Sequence, residues 1–128
     1  MVDKVAYWIE LSDYDLETAQ AMLDTKRFLY VGFMCHQVIE KALKAYWSKV
    51  LEEPPLKIHH LSRLAAKSGL TDELSEEQLD FIDSLEPLNI EARYPSYKEQ
   101  LMKVLTPEYC KGLLDKTKAL QLWIRDRL

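Results

Sequence analysis

The sequence predicts an all-α fold, an up-and-down four-helix bundle with one extra short helix in a connection. Apolar residues recur at i, i+3, i+4 and i+7 in several long stretches of the 128-residue chain. Only three glycines and five prolines interrupt these stretches. No stretch shows the alternating pattern of a half-buried strand. We therefore expect long helices with few turns, forming a single domain over residues 1–128.

The first two helices are predicted to be antiparallel neighbours. Residues 3–24 carry one apolar face, and acidic residues such as Asp13 and Asp15 fall on the other side or near the helix start. A tight joint at residues 24–26 leads into a second amphipathic stretch, residues 27–51. A connection this short brings consecutive helices side by side. The second stretch is apolar on more than one side, so we expect it in the middle of the domain.

One narrow strip of the central helix is polar. Its Glu40 and Lys44 are spaced i, i+4 with the acid first, which favours an ion pair. The sequence does not show whether the strip faces solvent, a dimer mate or a partner chain. The strip consists of His36, Gln37, Glu40, Lys41, Lys44 and Ser48.

The next elements are marked by local signals. Two prolines at 54–55 cannot continue the central helix. A short third helix is predicted at residues 60–68, closed by Gly69. Ser75 and Gln78 form a capping-box pattern, which predicts the start of the fourth helix.

Prolines also divide the last third of the chain. Pro87 is expected to break or kink the fourth helix near Glu86. Residues 93–97 are predicted to form a rigid, non-helical aromatic link, and residues 98–105 are ambiguous. Thr106, followed by a proline and an acid, has the pattern of a helix N-cap, so the last helix is predicted to begin there.

Composition limits the possible functions. The net charge is −4, which argues against a general nucleic-acid coat protein but leaves room for a local basic site. No apolar run is long enough to span a bilayer, and the N-terminal stretch lacks the apolar region of a signal peptide. Cys35 and Cys110 lie in apolar helical contexts, where reduced core thiols are expected. These observations predict a cytoplasmic protein without a membrane segment.

Common catalytic and metal-binding patterns are missing. Cys35 and His36 are adjacent on a helix and about 100° apart, so they cannot readily hold one ion together. The chain has no CxxC, no HExxH, no nucleophile elbow and no phosphate-binding glycine loop. We therefore predict no catalytic residue, no metal ligand and no cofactor, and we expect the histidines to lie at the surface.

Three stretches together resemble one known family. The central helix has the order Arg-x-x-Tyr-x-x-Phe-x-x-x-Gln-x-x-Glu-Lys-x-x-Lys-Ala, starting at Arg27. His60-Leu61 stands at the start of the third helix, and Asn89-Ile90-Glu91-Ala92-Arg93-Tyr94-Pro95 follows the fourth. This order and spacing resembles the HEPN family (higher eukaryotes and prokaryotes nucleotide-binding domain), small prokaryotic type. The resemblance covers nearly the whole chain.

The resemblance implies a HEPN-like helical bundle that binds a nucleotide or nucleic acid. It also implies a homodimer with a minimal nucleotidyltransferase partner, in a toxin–antitoxin-like pair. Ribonucleases of this family carry an arginine followed, after four to six residues, by a histidine. Neither Arg27, Arg63 nor Arg93 is followed by a histidine at those positions. A metal-independent ribonuclease toxin is therefore the disfavoured alternative, and a purely structural oligomerisation domain is another.

The resemblance also points to a set of ligand-binding candidates. In the functional interpretation, Arg93 and Lys41 receive a phosphate and an aromatic ring stacks on a base. In the structural interpretation, Asn89 and Arg93 bind backbone carbonyls, Tyr94 packs as a lid, and the Glu40–Lys44 pair is solvated. His60 contacts ligand in the first interpretation and caps a helix in the second. The candidates are Gln37, Glu40, Lys41, Lys44, His60, Asn89, Arg93 and Tyr94.

Overall fold

The described part of the chain is helical throughout, apart from short connections. A computed structural model describes residues 3–90 and 95–128, without the side chains of Ile90 and Tyr97, and contains no strand in those residues. The predicted all-α bundle is confirmed. The helices are α1 (Lys4–Asp24), α2 (Phe28–Val50), α3 (Leu61–Lys67), a 3-10 helix (Leu70–Glu73), α4 (Glu76–Leu85), α5 (Pro87–Ile90), α6 (Pro95–Val104) and α7 (Pro107–Arg125).

Helix α2 lies at the centre of the bundle. It packs along α1 and α7 and also contacts α3, α4, α5 and α6. Its apolar residues point in several directions and are covered on each side, as the sequence predicts. The side chains buried along α2 include Val31, Cys35, Val38, Ile39, Ala42 and Leu43.

A buried hydroxyl links the three longest helices. Ser12 of α1 donates a hydrogen bond to the Val38 carbonyl of α2 at 2.7 Å. Gln121 of α7 donates to the Ser12 hydroxyl oxygen at 2.9 Å. Buried polar groups are stable only when they are bonded in this way. The contact therefore fixes the relative positions of α1, α2 and α7.

Several predicted helix boundaries are confirmed. The Ser75 hydroxyl accepts from the Gln78 amide at 3.1 Å, and Gln78 accepts from the Ser75 amide at 2.9 Å, completing the capping box. Gly69 follows α3 with φ of 83°, a conformation that L side chains rarely adopt. Helix α4 ends at Leu85, and Thr106 caps α7 by accepting from the Tyr109 amide.

The prediction of a non-helical link at residues 93–97 is wrong for residues 95–97. Pro95 is the first residue of α6, where the missing N–H of proline costs no intrahelical bond. The ambiguous stretch after it continues this helix to Val104. Residues 93 and 94 lie outside the described residues.

The two cysteines are buried and free. Burial raises the pKa of Cys35 to about 12 and that of Cys110 to about 11. Both thiols are therefore protonated at neutral pH and poorly reactive, since the thiolate is the nucleophile. Among the described helices, none is both long enough and apolar enough to cross a bilayer.

Truncation of a leucine on α2 tests the central position of this helix. Leu43 is fully buried, so Leu43→Ala should lower the free energy of unfolding by about 2–5 kcal/mol. The matched control is Leu122→Ala, because Leu122 is 58% exposed on α7 and its truncation should cost less than about 0.5 kcal/mol. Urea unfolding measures both. Equal effects at the two positions would contradict the described packing.

Candidate functional site

All three histidines of the chain meet at one site beside α2. His36 lies on α2, and His59 and His60 end the connection between α2 and α3. Two carboxylates lie among them, Glu40 on α2 and Glu86 at the end of α4. We call these five residues the histidine–carboxylate cluster. Four separate parts of the fold, α2, the connection, the start of α3 and the end of α4, are joined there.

Glu40 is the most heavily bonded member of the cluster. Its side chain is only 4% exposed, and Oε2 accepts from Lys44 Nζ at 3.1 Å. Its other oxygen, Oε1, pairs with Nδ1 of His59 at 2.9 Å. The Lys44 ammonium also lies 5.3 Å from the centroid of the Trp8 ring, within cation–π range. The predicted Glu40–Lys44 pair is therefore present, but it is buried and not solvated.

His36 lies between the two carboxylates. Its Nδ1 is 3.8 Å from Glu40 Oε1, and its Nε2 is 3.9 Å from Glu86 Oε1, both too long for hydrogen bonds. Burial lowers the pKa of His36 to about 4, although the Glu40 charge acts in the opposite direction. The ring is therefore neutral at pH 7. The expectation of a surface histidine is wrong here, because other elements cover this side of α2.

His60 and Glu86 together close the start of α3. Nδ1 of His60 accepts from the Arg63 amide at 3.2 Å, which makes His60 the N-cap of α3. An accepting Nδ1 carries no proton, which places the ring proton on Nε2. Nε2 lies 3.1 Å from Glu86 Oε2, but the two groups are not aligned as a hydrogen bond. Glu86 Oε1 accepts from the Leu61 amide at 2.8 Å. Burial raises the pKa of Glu86, while the Leu61 amide and His60 lower it.

A side-chain amide pair extends the cluster to α5. Gln37 Nε2 donates to Asn89 Oδ1 at 3.1 Å and lies 3.4 Å from His36 Nδ1. Asn89 is buried, so this bond satisfies a group that water does not reach. One continuous set of polar contacts thus joins α2 to the start of α3, to the end of α4 and to α5.

Lys41 points away from the cluster. Its ammonium pairs with Asp15 of α1, and both side chains are largely buried. The prediction that Asp15 faces outward is therefore wrong, because the lysine of the adjacent helix draws this carboxylate into the α1–α2 contact. The polar strip of α2 is divided between two neighbours, and Ser48 bonds back to the Lys44 carbonyl at 2.9 Å.

The structure brings together five of the eight predicted site residues and separates a sixth. Gln37, Glu40, Lys44, His60 and Asn89 belong to or border the cluster. Lys41 lies apart, and Arg93 and Tyr94 lie outside the described residues.

Sequence reasoning missed Glu86 and the inward orientation of His36. One signal for Glu86 was available. An acid in the last turn of a helix is unfavourable to the helix dipole, so its presence there indicates another interaction partner. That partner is the start of α3, which has free amide groups. No comparable local signal marks His36, because its burial depends on distant segments of the chain.

The chemistry of the cluster centres on His59. The His59 ring is 58% exposed, and Glu40 holds its Nδ1. A carboxylate on one ring nitrogen fixes the orientation of the ring and leaves the other nitrogen for a ligand or a proton. In the described part of the chain, no group of three histidine, cysteine or carboxylate side chains is arranged to hold a metal ion. The arrangement is suited to polar binding and to proton transfer.

Removing one partner of the buried ion pair should be costly. Glu40→Leu leaves the Lys44 ammonium buried without its carboxylate, and the expected loss is about 3–5 kcal/mol of unfolding free energy. Glu40→Leu with Lys44→Leu should lose much less than the sum of the two single variants. Urea unfolding of the four proteins gives the coupling energy directly. Strictly additive losses would show that the two groups do not interact.

Burial of neutral His36 should make stability depend on pH. The unfolded chain takes up a proton near pH 6.5, whereas the folded chain does so only near pH 4. The free energy of unfolding should therefore fall as pH drops through this window, by on the order of 3 kcal/mol from this group. Glu86, whose pKa is raised, acts in the opposite sense. Urea unfolding between pH 7 and pH 4, the range set by these pKa values, measures this dependence. The free energy of unfolding should fall less steeply in His36→Gln than in the unchanged protein. Parallel curves would contradict the assignment.

Comparison with known proteins identifies the family. The family model for the HEPN domain matches residues 5–127, nearly the whole chain. Neither the curated proteins nor the solved structures gave a significant match. HEPN domains are nucleotide-binding or ribonuclease-type helical modules in general. By this match, and in agreement with the stretches at Arg27, His60 and Asn89, the chain belongs to the HEPN domain family.

Proposed function

We propose that this protein is a nucleotide- or nucleic-acid-binding module whose ligand site is the histidine–carboxylate cluster and its neighbours. It acts as a homodimer together with a minimal nucleotidyltransferase partner, in a toxin–antitoxin-like pair. Membership of the HEPN family supports the general class of this function, and domains of this family commonly dimerise.

One observation carries the proposal. The three stretches that resemble the family are far apart in the sequence, yet Gln37 and Glu40 of α2, His60 and Asn89 all contribute to one set of polar contacts. Burying polar groups costs free energy even when they are paired, and an apolar core would be as stable or more so. Their concentration at one place favours a role beyond folding.

The exposed side of the cluster offers groups that suit a phosphate. His59 and His60 are 58% and 64% exposed, and Arg63 and Lys57 are exposed beside them in the sequence. Guanidinium groups bind phosphate oxygens through charge-assisted hydrogen bonds.

The sequence assigned a phosphate contact to Lys41. Because Lys41 is paired with Asp15, the proposed contact moves to Arg63. Arg93 and Tyr94, a few residues beyond Asn89, remain proposed for phosphate contact and base stacking.

ATP is the first ligand to test. It should raise the melting temperature of the protein with increasing concentration, because a ligand bound to the native state stabilises it. Arg63→Ala should weaken ATP binding about tenfold or more, the loss expected for one charge-assisted hydrogen bond. Lys111→Ala is the control, since Lys111 is an exposed cation on α7, a helix that contributes no residue to the cluster. Calorimetric titration measures the ATP affinity of the unchanged protein and of each variant.

Binding tests with ATP and with single-stranded RNA distinguish the possible functions. If neither ATP nor single-stranded RNA binds, the ligand-site proposal fails and a purely structural oligomerisation domain is favoured. If RNA binds and ATP does not, the ligand is a nucleic acid. Native mass spectrometry of protein purified from its own host tests the partner, which should appear as a second chain the size of a minimal nucleotidyltransferase.

One contact favours the ribonuclease alternative. Glu40 orients His59 at 2.9 Å, and such a pair is the usual arrangement of a general base. The family's arginine–histidine spacing is absent from the chain. Labelled RNA incubated with the protein should therefore remain intact. RNA cleavage that is lost in His59→Gln would replace the binding proposal with an enzymatic one.

A further inference from the structure

An exposed aromatic pair lies near the start of α1. The ring centroids of Tyr7 and Trp8 are 5.2 Å apart and the ring planes meet at 76°, an edge-to-face arrangement. Such an arrangement leaves at least one face of the Tyr7 ring free of Trp8. Tyr7 is 51% exposed, so solvent reaches this ring. Among the exposed tyrosines whose side chains the structure describes, Tyr7 is the one that contacts another ring.

Trp8 connects this pair to the histidine–carboxylate cluster. Its ring lies 5.3 Å from the Lys44 ammonium, which is 3.1 Å from Glu40 Oε2. The other oxygen of Glu40 holds His59 at 2.9 Å. One lysine side chain therefore separates the Trp8 ring from the carboxylate that orients the exposed His59 ring. The aromatic pair and His59 are neighbours of the same buried ion pair, the first on α1 and the second in the connection to α3.

Trp8 also restricts the position of Tyr7. The Trp8 side chain is half-buried and packs against the hydrophobic core, and Lys44 lies over its ring. Tyr7 is in contact with this fixed ring. An aromatic side chain that is held in place before binding loses little conformational entropy when a ligand stacks on it.

Charges around Tyr7 decide which part of a nucleotide fits there. Asp3 and Glu10 lie four residues before and three residues after Tyr7, on the same side of α1, and both are exposed carboxylates. They repel phosphate. A nucleobase is uncharged, and its flat π face stacks on aromatic side chains. The triphosphate therefore belongs beside His59 and Arg63, and the base belongs beside α1.

We propose that Tyr7 is a base-stacking residue of the nucleotide site and that Trp8 holds it in position. The proposal rests on the proposed function and deepens it, because it makes the ligand a nucleotide recognised by its base as well as by its phosphates. Tyr94 lies outside the described residues, and Tyr7 supplies a stacking ring from a different part of the fold.

A comparison of ATP with inorganic triphosphate tests this role. Only ATP carries a base, so a base-stacking residue should affect the binding of ATP alone. Tyr7→Ala should bind ATP about tenfold more weakly or worse, the loss typical of one stacked base, and should bind triphosphate as the unchanged protein does. Tyr7→Phe keeps the ring and should keep the ATP affinity. Calorimetric titration measures both ligands with each protein.

The matched control is Tyr109→Ala. Tyr109 is 42% exposed and lies on α7, a helix that contributes no residue to the cluster. It lines an open groove of about 690 Å³ between α4 and α7, which is the alternative place for a base. Exposed carboxylates of Glu77, Asp80 and Glu108 also line this groove and disfavour a triphosphate there. Tyr109→Ala should therefore leave the ATP affinity unchanged.

The fold of each variant is verified by circular dichroism. Because Tyr7 is exposed, its replacement should leave the helical signal and the melting temperature nearly unchanged. If Tyr7→Ala unfolds, Tyr7→Leu takes its place, since leucine keeps an apolar side chain at this position without a flat ring.

Three results would overturn the proposal. They are equal affinity of the unchanged protein for ATP and for triphosphate, an ATP affinity that Tyr7→Ala does not change, and a loss of ATP affinity in Tyr109→Ala but not in Tyr7→Ala. In all three, the unchanged protein still binds ATP. If ATP does not bind the unchanged protein, the proposed ATP site itself fails, and this inference fails with it. The two failures can therefore be told apart.

Discussion

The buried carboxylate of Glu40 is the constraint on which the candidate site depends. A charge with so little exposure is stable only when it is paired and bonded, and Lys44 and His59 meet this requirement. The lysine comes from the same helix, whereas the histidine comes from the connection to α3. The bond to His59 therefore holds this connection on α2. It thereby supports, from the α2 side, the position of His60 and the start of α3 beside His36.

Glu86 stabilises the start of α3 from the other side of the site. At the end of α4 it lies where the helix carbonyls disfavour a negative charge, and it is stabilised instead by the free amides at the start of α3. One carboxylate thus bonds to the Leu61 amide and faces the His60 ring. The shortness of α3 is consistent with this support, because a helix of two turns is marginal without tertiary contacts. Fold and site share the same interactions.

The sequence predicted the fold better than it predicted the site. Helix spacing, the Ser75 capping box and the Thr106-Pro107 start are local signals, and the structure confirms them. The orientation of polar side chains is not local. Asp15, which shares a helix with other acids, is turned inward by Lys41, and burial of His36 depends on segments more than twenty residues away. Pattern reasoning gives the residues of one helix face but not what covers that face.

The most direct test of the ligand site uses the histidine rings themselves. The chain has only three histidines, so their ring nitrogen and carbon NMR signals can be assigned by single substitutions. Addition of ATP should shift the signals of His59 and His60 in a saturable way, and His36 should remain neutral at pH 7. Saturable binding of ATP without any change in the His59 and His60 signals would contradict the account, because the ligand would then lie elsewhere on the molecule.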